Sequence, residues 1–315
     1  MNGSPDAALL DRARGCAVGA AVGDALGMPL EFKPPRPLHG LAREMGEGRL
    51  PPGSFTDDTE MALALAESLI ARRPLDPDDL ARRFVAWAET NPPDIGTHTR
   101  RVLSRIARGV PWREAVSAVQ AANPDSAGNG SLMRCWPVAL VYWQQPDALR
   151  AASILQSDVT HPHPDCAAAC VFANSLIAAL LRGAAPRVAF ERALASTELA
   201  SDFRAVIEAA PERAREELAN SGWVRHTLES AIWGLLTTSS FEEAVVQVAN
   251  LGDDADTAAS VTGALAGAAY GLDAIPARWR DALRGAWPVG SDTIWSAADF
   301  VRLADRLVTL ESAAT

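Results

Sequence analysis

Two short acidic segments, far apart in the chain, combine the side chains from which a metal-assisted reaction can be built: Thr56-Asp57-Asp58-Thr59 and Asp253-Asp254-Ala255-Asp256-Thr257. Each stands just ahead of an apolar run, Glu60 to Ala71 and Ala258 to Tyr270. Taken singly, each reads as a helix N-cap whose acidic charge suits the helix dipole. A cap needs one side chain, however, and three carboxylates within four residues repel one another unless a cation or solvent offsets them. Together the two segments offer carboxylate and hydroxyl oxygens, the donors that hard cations such as Mg2+ and Mn2+ prefer. A calcium-binding helix-loop-helix does not fit. The stretch from Asp253 has Ala258 where the loop glycine belongs and Ala264 where a bidentate glutamate belongs.

Three further polar points interrupt apolar sequence. Gly128-Asn129-Gly130-Ser131 leads into Leu132-Met133-Arg134, a small-residue turn expected to open a helix whose free backbone N–H groups can cradle a phosphate. It lacks the Gly-Lys-Ser/Thr ending of a nucleotide P-loop. Glu31 sits where the apolar stretch Gly15 to Leu30 gives way to a loop rich in Pro and Gly. His161, in Thr160-His161-Pro162-His163, is flanked by proline, which suits a shaped loop in contact with substrate better than a metal-binding helix.

Helices must position these groups. Apolar residues recur at helical spacing in Met61-Leu65-Leu69 and in Leu228-Ile232-Leu235, while strand alternation is nearly absent. Proline-led helix starts recur, at Ser4-Pro5 and Asp76-Pro77, and Asn91-Pro92-Pro93 closes the run that holds Trp87. The fold class is therefore all-α, expected as one compact domain over residues 1–315. Gly15, Gly19 and Gly23 fall on one helix face, where another backbone can approach closely. The stretch around them is interrupted by Asp24 and is too short to span a bilayer. Trp87 and Trp233 lie on apolar faces and are expected in the core.

Acidic residues outnumber basic ones by 39 to 29, which argues against a nucleic-acid or anionic-membrane surface and for a small partner. Cys16, Cys135, Cys166 and Cys170 form no Cys-x-x-Cys pair, and the N-terminus does not resemble a signal peptide. Reduced thiols in a cytoplasm are expected, and the chain is expected to act as a monomer.

Taken in order, Gly23-Asp24-Ala25-Leu26-Gly27 with Glu31, Phe55 to Thr59, Gly128 to Arg134, Thr160-His161 and Leu251 to Thr257 resemble the ADP-ribosylglycohydrolase family. The motifs run from about Gly15 to Gly271 in the family's order. The resemblance implies a compact all-α fold with two divalent cations, Mg2+ or Mn2+, held by Thr56, Asp57, Asp58, Asp254, Asp256 and Thr257. Asp253 stands outside that set. It further implies that Glu31 lies near the scissile bond, with Asp57 and Asp58 also in the catalytic centre. Gly128, Asn129, Gly130, Ser131, Met133 and His161 would hold ADP-ribose.

The implied reaction is hydrolysis of the glycosidic bond between ADP-ribose and an acceptor, through an oxocarbenium-like transition state. Arginine on a protein is the first choice of acceptor; serine or a small-molecule conjugate is the alternative. Cations suit such a reaction by fixing ribose hydroxyls and lowering the pKa of a water, with Glu31 moving protons. Two rivals come from other classes. All-α isoprenoid synthases also pair aspartate motifs, but Asp57-Asp58-Thr59-Glu60-Met61 is not their Asp-Asp-x-x-Asp pattern. A non-catalytic ADP-ribose-binding module would not require both the full acidic set and Glu31.

Overall fold

The computed structural model describes residues 6–310, so Ser4 and Pro5 lie outside the described residues. Fifteen α-helices and one minimal hairpin make up its regular structure apart from short 3₁₀ turns. In chain order the first seven helices are α1 (Ala7–Gly27), α2 (Asp57–Ala71), α3 (Pro77–Glu89), α4 (Thr97–Ala107), α5 (Trp112–Ala122), α6 (Trp136–Tyr142) and α7 (Pro146–Asp158). The next five are α8 (Pro164–Leu181), α9 (Pro186–Ser196), α10 (Ser201–Ala209), α11 (Val224–Thr237) and α12 (Phe241–Ala249). Then come α13 (Ala255–Tyr270), α14 (Ala277–Ala282), strands β1 (Gly285–Ala286) and β2 (Ile294–Trp295), and α15 (Ala297–Val308). The strands pair antiparallel. The all-α expectation holds.

Local chemistry explains many of the starts. Pro77, Pro146, Pro164 and Pro186 open their helices, where the missing N–H has no intrahelical partner to lose. Asp76 caps α3 by accepting from the N–H groups of Asp78 and Asp79. Trp87 and Trp233 are buried, as their helical faces predict. Helix α8 is long and apolar enough to cross a membrane, but 78% of it is buried inside the fold, so burial by neighbouring helices accounts for its composition.

The central packing is α1 against α13, and the glycine stripe makes it possible. A Cβ on Gly15 would stand 2.3 Å from the carbonyl oxygen of Gly267, and one on Gly19 2.3 Å from that of Gly263. One on Gly23 would stand 2.0 Å from that of Ala259, and one on Gly27 2.4 Å from that of Ala255. Rising numbers on α1 thus meet falling numbers on α13, and the two helices run antiparallel with backbones in contact. This register brings the C-terminal end of α1, with Asp24, to the N-terminal end of α13, with Asp256.

Both acidic segments lie deeper in their helices than their sequence suggests. α2 begins at Asp57 and α13 at Ala255, so Asp57, Asp58, Asp256 and Thr257 belong to first turns. The glycine turn departs from expectation. Asn129–Ser131 is a 3₁₀ turn, and the next α-helix starts only at Trp136, because Pro137 favours a helix start there.

Candidate active site

Asp24 is the joint of the site. It lies fully buried in α1, and its carboxylate accepts from the N–H and hydroxyl of Thr56, at 2.9 and 2.8 Å. It also accepts from the N–H and hydroxyl of Thr59, at 3.2 and 2.5 Å. The first turn of α2 is therefore capped from another helix, and Thr56 makes no cap bond to its own helix. Asp57 and Asp58 are left free of capping duty. Thr56 spends its proton on Asp24 and keeps lone pairs for a ligand.

The two acidic segments meet across this joint. The hydroxyl of Thr257 donates to Asp58 Oδ2 at 3.3 Å. Carboxylate oxygens of Glu31, Asp254 and Asp256 lie within 4.8 Å of one another. Glu31, expected where helix gives way to loop, turns inward, its side chain 11% exposed. Asp253 is exposed with φ +52° and stays outside the cluster, bonded through its backbone to Phe32 and Lys33.

Burial and crowding weaken these acids. Burial, and then the charge of Asp256, push Asp24 up to about 7 despite its four hydrogen bonds. The same two causes push Asp254 up to about 7. Asp57 is raised by burial and then by Asp94 and Asp256; Asp58 is raised by burial and then by Asp24 and Asp256. Glu60, bonded to Trp87 Nε1 at 2.7 Å, is pushed up to about 8 by burial.

Buried oxygens without partners show what the arrangement lacks. Asp58 Oδ1 and Asp94 Oδ1 have no hydrogen-bond partner. An unsatisfied buried carboxylate oxygen is expensive, and a divalent cation is a partner of suitable charge and hardness. Among the described residues, one basic side chain reaches the cluster. Arg49, from the loop after α1, pairs with Glu31, with Asp94 at 3.3 Å and with Asp256 at 3.2 Å. Desolvation works against its charge, but Asp256 and Asp94 outweigh it and raise its pKa.

The other sequence-predicted residues form one wall beside the acids. The N–H of Asn129 is taken by Gly222 O at 3.0 Å, and its side chain donates to Asp254 Oδ2 at 2.6 Å and to Thr227 Oγ1 at 2.8 Å. Asn129 therefore orients a carboxylate, and it offers its own N–H to no anion. Gly128 and Gly130 pack on the His161 ring, which a Cβ on Gly130 would overlap at 2.8 Å. His161 is buried, its Nδ1 is 2.8 Å from Thr160 Oγ1, and its ring lies 4.7 Å from that of His98. Burial, and then His98 and Arg134, lower its pKa well below the ordinary value, so the ring is neutral. Ser131 bonds Ser157 within the interior, and Met133 lies in the core. Exposed Trp223 bridges to Gly128 at the rim.

Sequence reasoning missed Asp24, Arg49, Asp94 and Glu60 as members of this cluster. A lone aspartate inside an apolar glycine helix is a signal, since a buried charge requires partners. Arg49 sits in an irregular loop and carried no such signal.

The ADP-ribosylglycohydrolase family model matches residues 5–314. An ADP-ribosylarginine hydrolase, Tri1, from Serratia proteamaculans is 36% identical over 89% of this chain and 77% of its own length. An ADP-ribosyl-dinitrogen-reductase glycohydrolase from Rhodospirillum rubrum is 35% identical over 85% of this chain and 89% of its own. A solved structure described as an ADP-ribosylglycohydrolase-related protein complex superposes with a TM-score of 0.79 at 37% identity, covering 95% of this chain and 98% of that one.

Proposed function

Because the chain belongs to the ADP-ribosylglycohydrolase family and hydrolyses a glycosidic bond of ADP-ribose, we propose that its acceptor is arginine on a protein and that it works with two divalent cations, Mg2+ or Mn2+. Thr56, Asp57, Asp58, Asp254, Asp256 and Thr257 would hold the cations. Arginine is favoured because two relatives at 35–36% identity carry names that specify ADP-ribosylarginine or an ADP-ribosylated reductase. The site of action proposed is the cytoplasm.

The observation that carries this reading is the convergence of Glu31, Asp254 and Asp256, with Asp58 held to Thr257, beside the wall of Asn129, Gly130 and His161. When bound, the cations supply positive charge that fixes ribose hydroxyls and favours ionisation of a water. The chain's own groups do the rest. In hydrolysis the bond from the anomeric carbon to the guanidine nitrogen breaks, a bond to water oxygen forms, and a proton passes to the leaving nitrogen. Glu31 is the proton carrier: it follows the short turn after α1, and its carboxylate stands beside those of Asp254 and Asp256. Asn129 holds Asp254 in one orientation. His161, packed against Gly128 and Gly130, presents a neutral ring to that wall.

The test is a hydrolysis panel of arginine-, serine- and small-molecule-linked ADP-ribose, run after chelation and again with Mg2+ or Mn2+ restored. The expected result is cation-dependent release from arginine. Turnover unaffected by chelation would overturn the metal proposal, serine release without arginine release would overturn the acceptor, and near-normal turnover by Glu31→Gln would remove Glu31 from its role.

A further inference from the structure

Helix α4 carries an unneutralised basic stripe in a chain whose net charge is −10. It holds Arg100, Arg101 and Arg105 and no acidic residue, and Arg108 is its C-cap. Several surface arginines elsewhere pair with carboxylates, as Arg14 does with Asp305, Arg43 with Glu243 and Arg278 with Glu44. On α4 none does among the described residues. The Arg100 side chain reaches only Asn91 at 3.5 Å, that of Arg108 bonds Ser104 O, and the guanidinium groups of Arg101 and Arg105 have no hydrogen-bond or ion-pair partner among the described residues. Interaction with the helix dipole accounts for Arg105 and Arg108 near the C-terminus, but it disfavours Arg100 and Arg101 in the first half.

Geometry ties this stripe to the site. His98, Arg101 and Arg105 stand at i, i+3 and i+7, one face of the helix. His98 is the residue whose ring lies on His161 and whose Nε2 is 2.9 Å from Thr160 O. From that point the helix rises about 1.5 Å per residue, so Arg108 lies roughly 15 Å further along. The arginines line a groove of about 620 Å³ floored by Val119 of α5. An extended peptide covers that length in about five residues.

We infer that the α4–α5 groove docks an acidic segment of the protein substrate, a stretch of about five residues rich in Asp or Glu on the same polypeptide as the ADP-ribosylated side chain. The inference rests on the reading that the site acts on modified protein. Charge complementarity commits the groove to an acidic polypeptide, and the enzyme gains selectivity among modified proteins by electrostatic attraction that fades with salt.

The experiment compares wild-type and Arg101→Glu/Arg105→Glu full-length protein on three substrates: an ADP-ribosylarginine peptide with a nearby acidic run, the same peptide with serines there, and free ADP-ribosylarginine. The wild type is expected to prefer the acidic peptide in kcat/KM by about three- to tenfold at low salt, as two surface charge pairs allow. Added NaCl and the double variant should each abolish that preference, with free ADP-ribosylarginine hydrolysed at the wild-type rate. Equal use of both peptides by the wild type, or an equal loss on all three substrates, would overturn the inference. Fluorescence anisotropy with the unmodified acidic peptide separates the two readings if no substrate is cleaved: saturable, arginine-dependent binding supports the groove, and its absence rejects it. Arginine-dependent binding of a labelled DNA duplex without binding of the peptide would also reject it.

Discussion

Asp24 of α1 accepts both the N–H and the hydroxyl of Thr56, so the metal-candidate turn of α2 is oriented by a helix that contributes no residue to the six-member ligand set. The substitution Asp24→Asn is nearly isosteric but turns an NH2 toward Thr56 or Thr59 donors. With buried donors left unsatisfied, a loss of about 1–3 kcal/mol is expected. Thermal denaturation would report it. Calorimetric titration with Mn2+ should show weaker binding in the same variant, because Asp57 and Asp58 lose their fixed turn; unchanged affinity would reject the positioning role.

The α1–α13 stripe makes a second prediction whose sign is not obvious. Alanine is intrinsically favoured over glycine in a helix by about 1 kcal/mol. At Gly23, however, the new Cβ would sit 2.0 Å from Ala259 O, an overlap that only helix separation can relieve. Gly23→Ala is expected to destabilise by about 1–3 kcal/mol, and it should also weaken Mn2+ binding, since the same register holds Asp24 near Asp256. Gly46→Ala, with nothing within 4 Å, is the control and should stay within about 0.5 kcal/mol of wild type in chemical denaturation.

Helical periodicity, proline-led starts and the four-residue glycine spacing made the all-α class and one close helix contact legible in the sequence. The pairing of two acidic segments was legible too, because each contained more charge than a cap requires. What local pattern could not reveal was the choice of partner. Thr56 reads as the cap of its own helix, yet Asp24, 32 residues earlier, takes that work. Asn129 reads as part of a phosphate cradle, yet its amide is spent on Asp254, 125 residues away. Arg49 is the extreme case, since an arginine in an irregular loop has no periodicity to aim it.

Arg49 occupies the centre of the carboxylates with its own positive charge, through Glu31, Asp94 and Asp256. A divalent cation at that centre competes with it. Arg49→Ala is expected to tighten Mn2+ binding by roughly tenfold, equivalent to about 1.4 kcal/mol. The metal-free variant should melt at a lower temperature than metal-free wild type, since three carboxylates lose a compensating charge. Calorimetry and melting together decide it. If affinity and metal-free melting temperature both stay at wild-type values, Arg49 has no such place in the centre.

The raised acids give the last prediction, in which proton and metal compete. Asp24 and Asp254 are held near 7 and Glu60 near 8, all above their ordinary carboxylate values. In the unfolded chain these groups ionise near pH 4, so between about pH 4 and pH 8 the folded protein binds more protons than the unfolded one. Stability of the metal-free protein must therefore fall as pH rises through that window and level off above it. A divalent cation relieves the same repulsion by taking the place of the protons, so its binding releases protons and strengthens with pH. Melting scans in chelator are expected to decline from about pH 5 to pH 8, while scans with excess Mn2+ should rise above them by a margin that widens with pH. A metal-induced increment that is the same at both ends of the range would show that these carboxylates do not exchange protons for the cation.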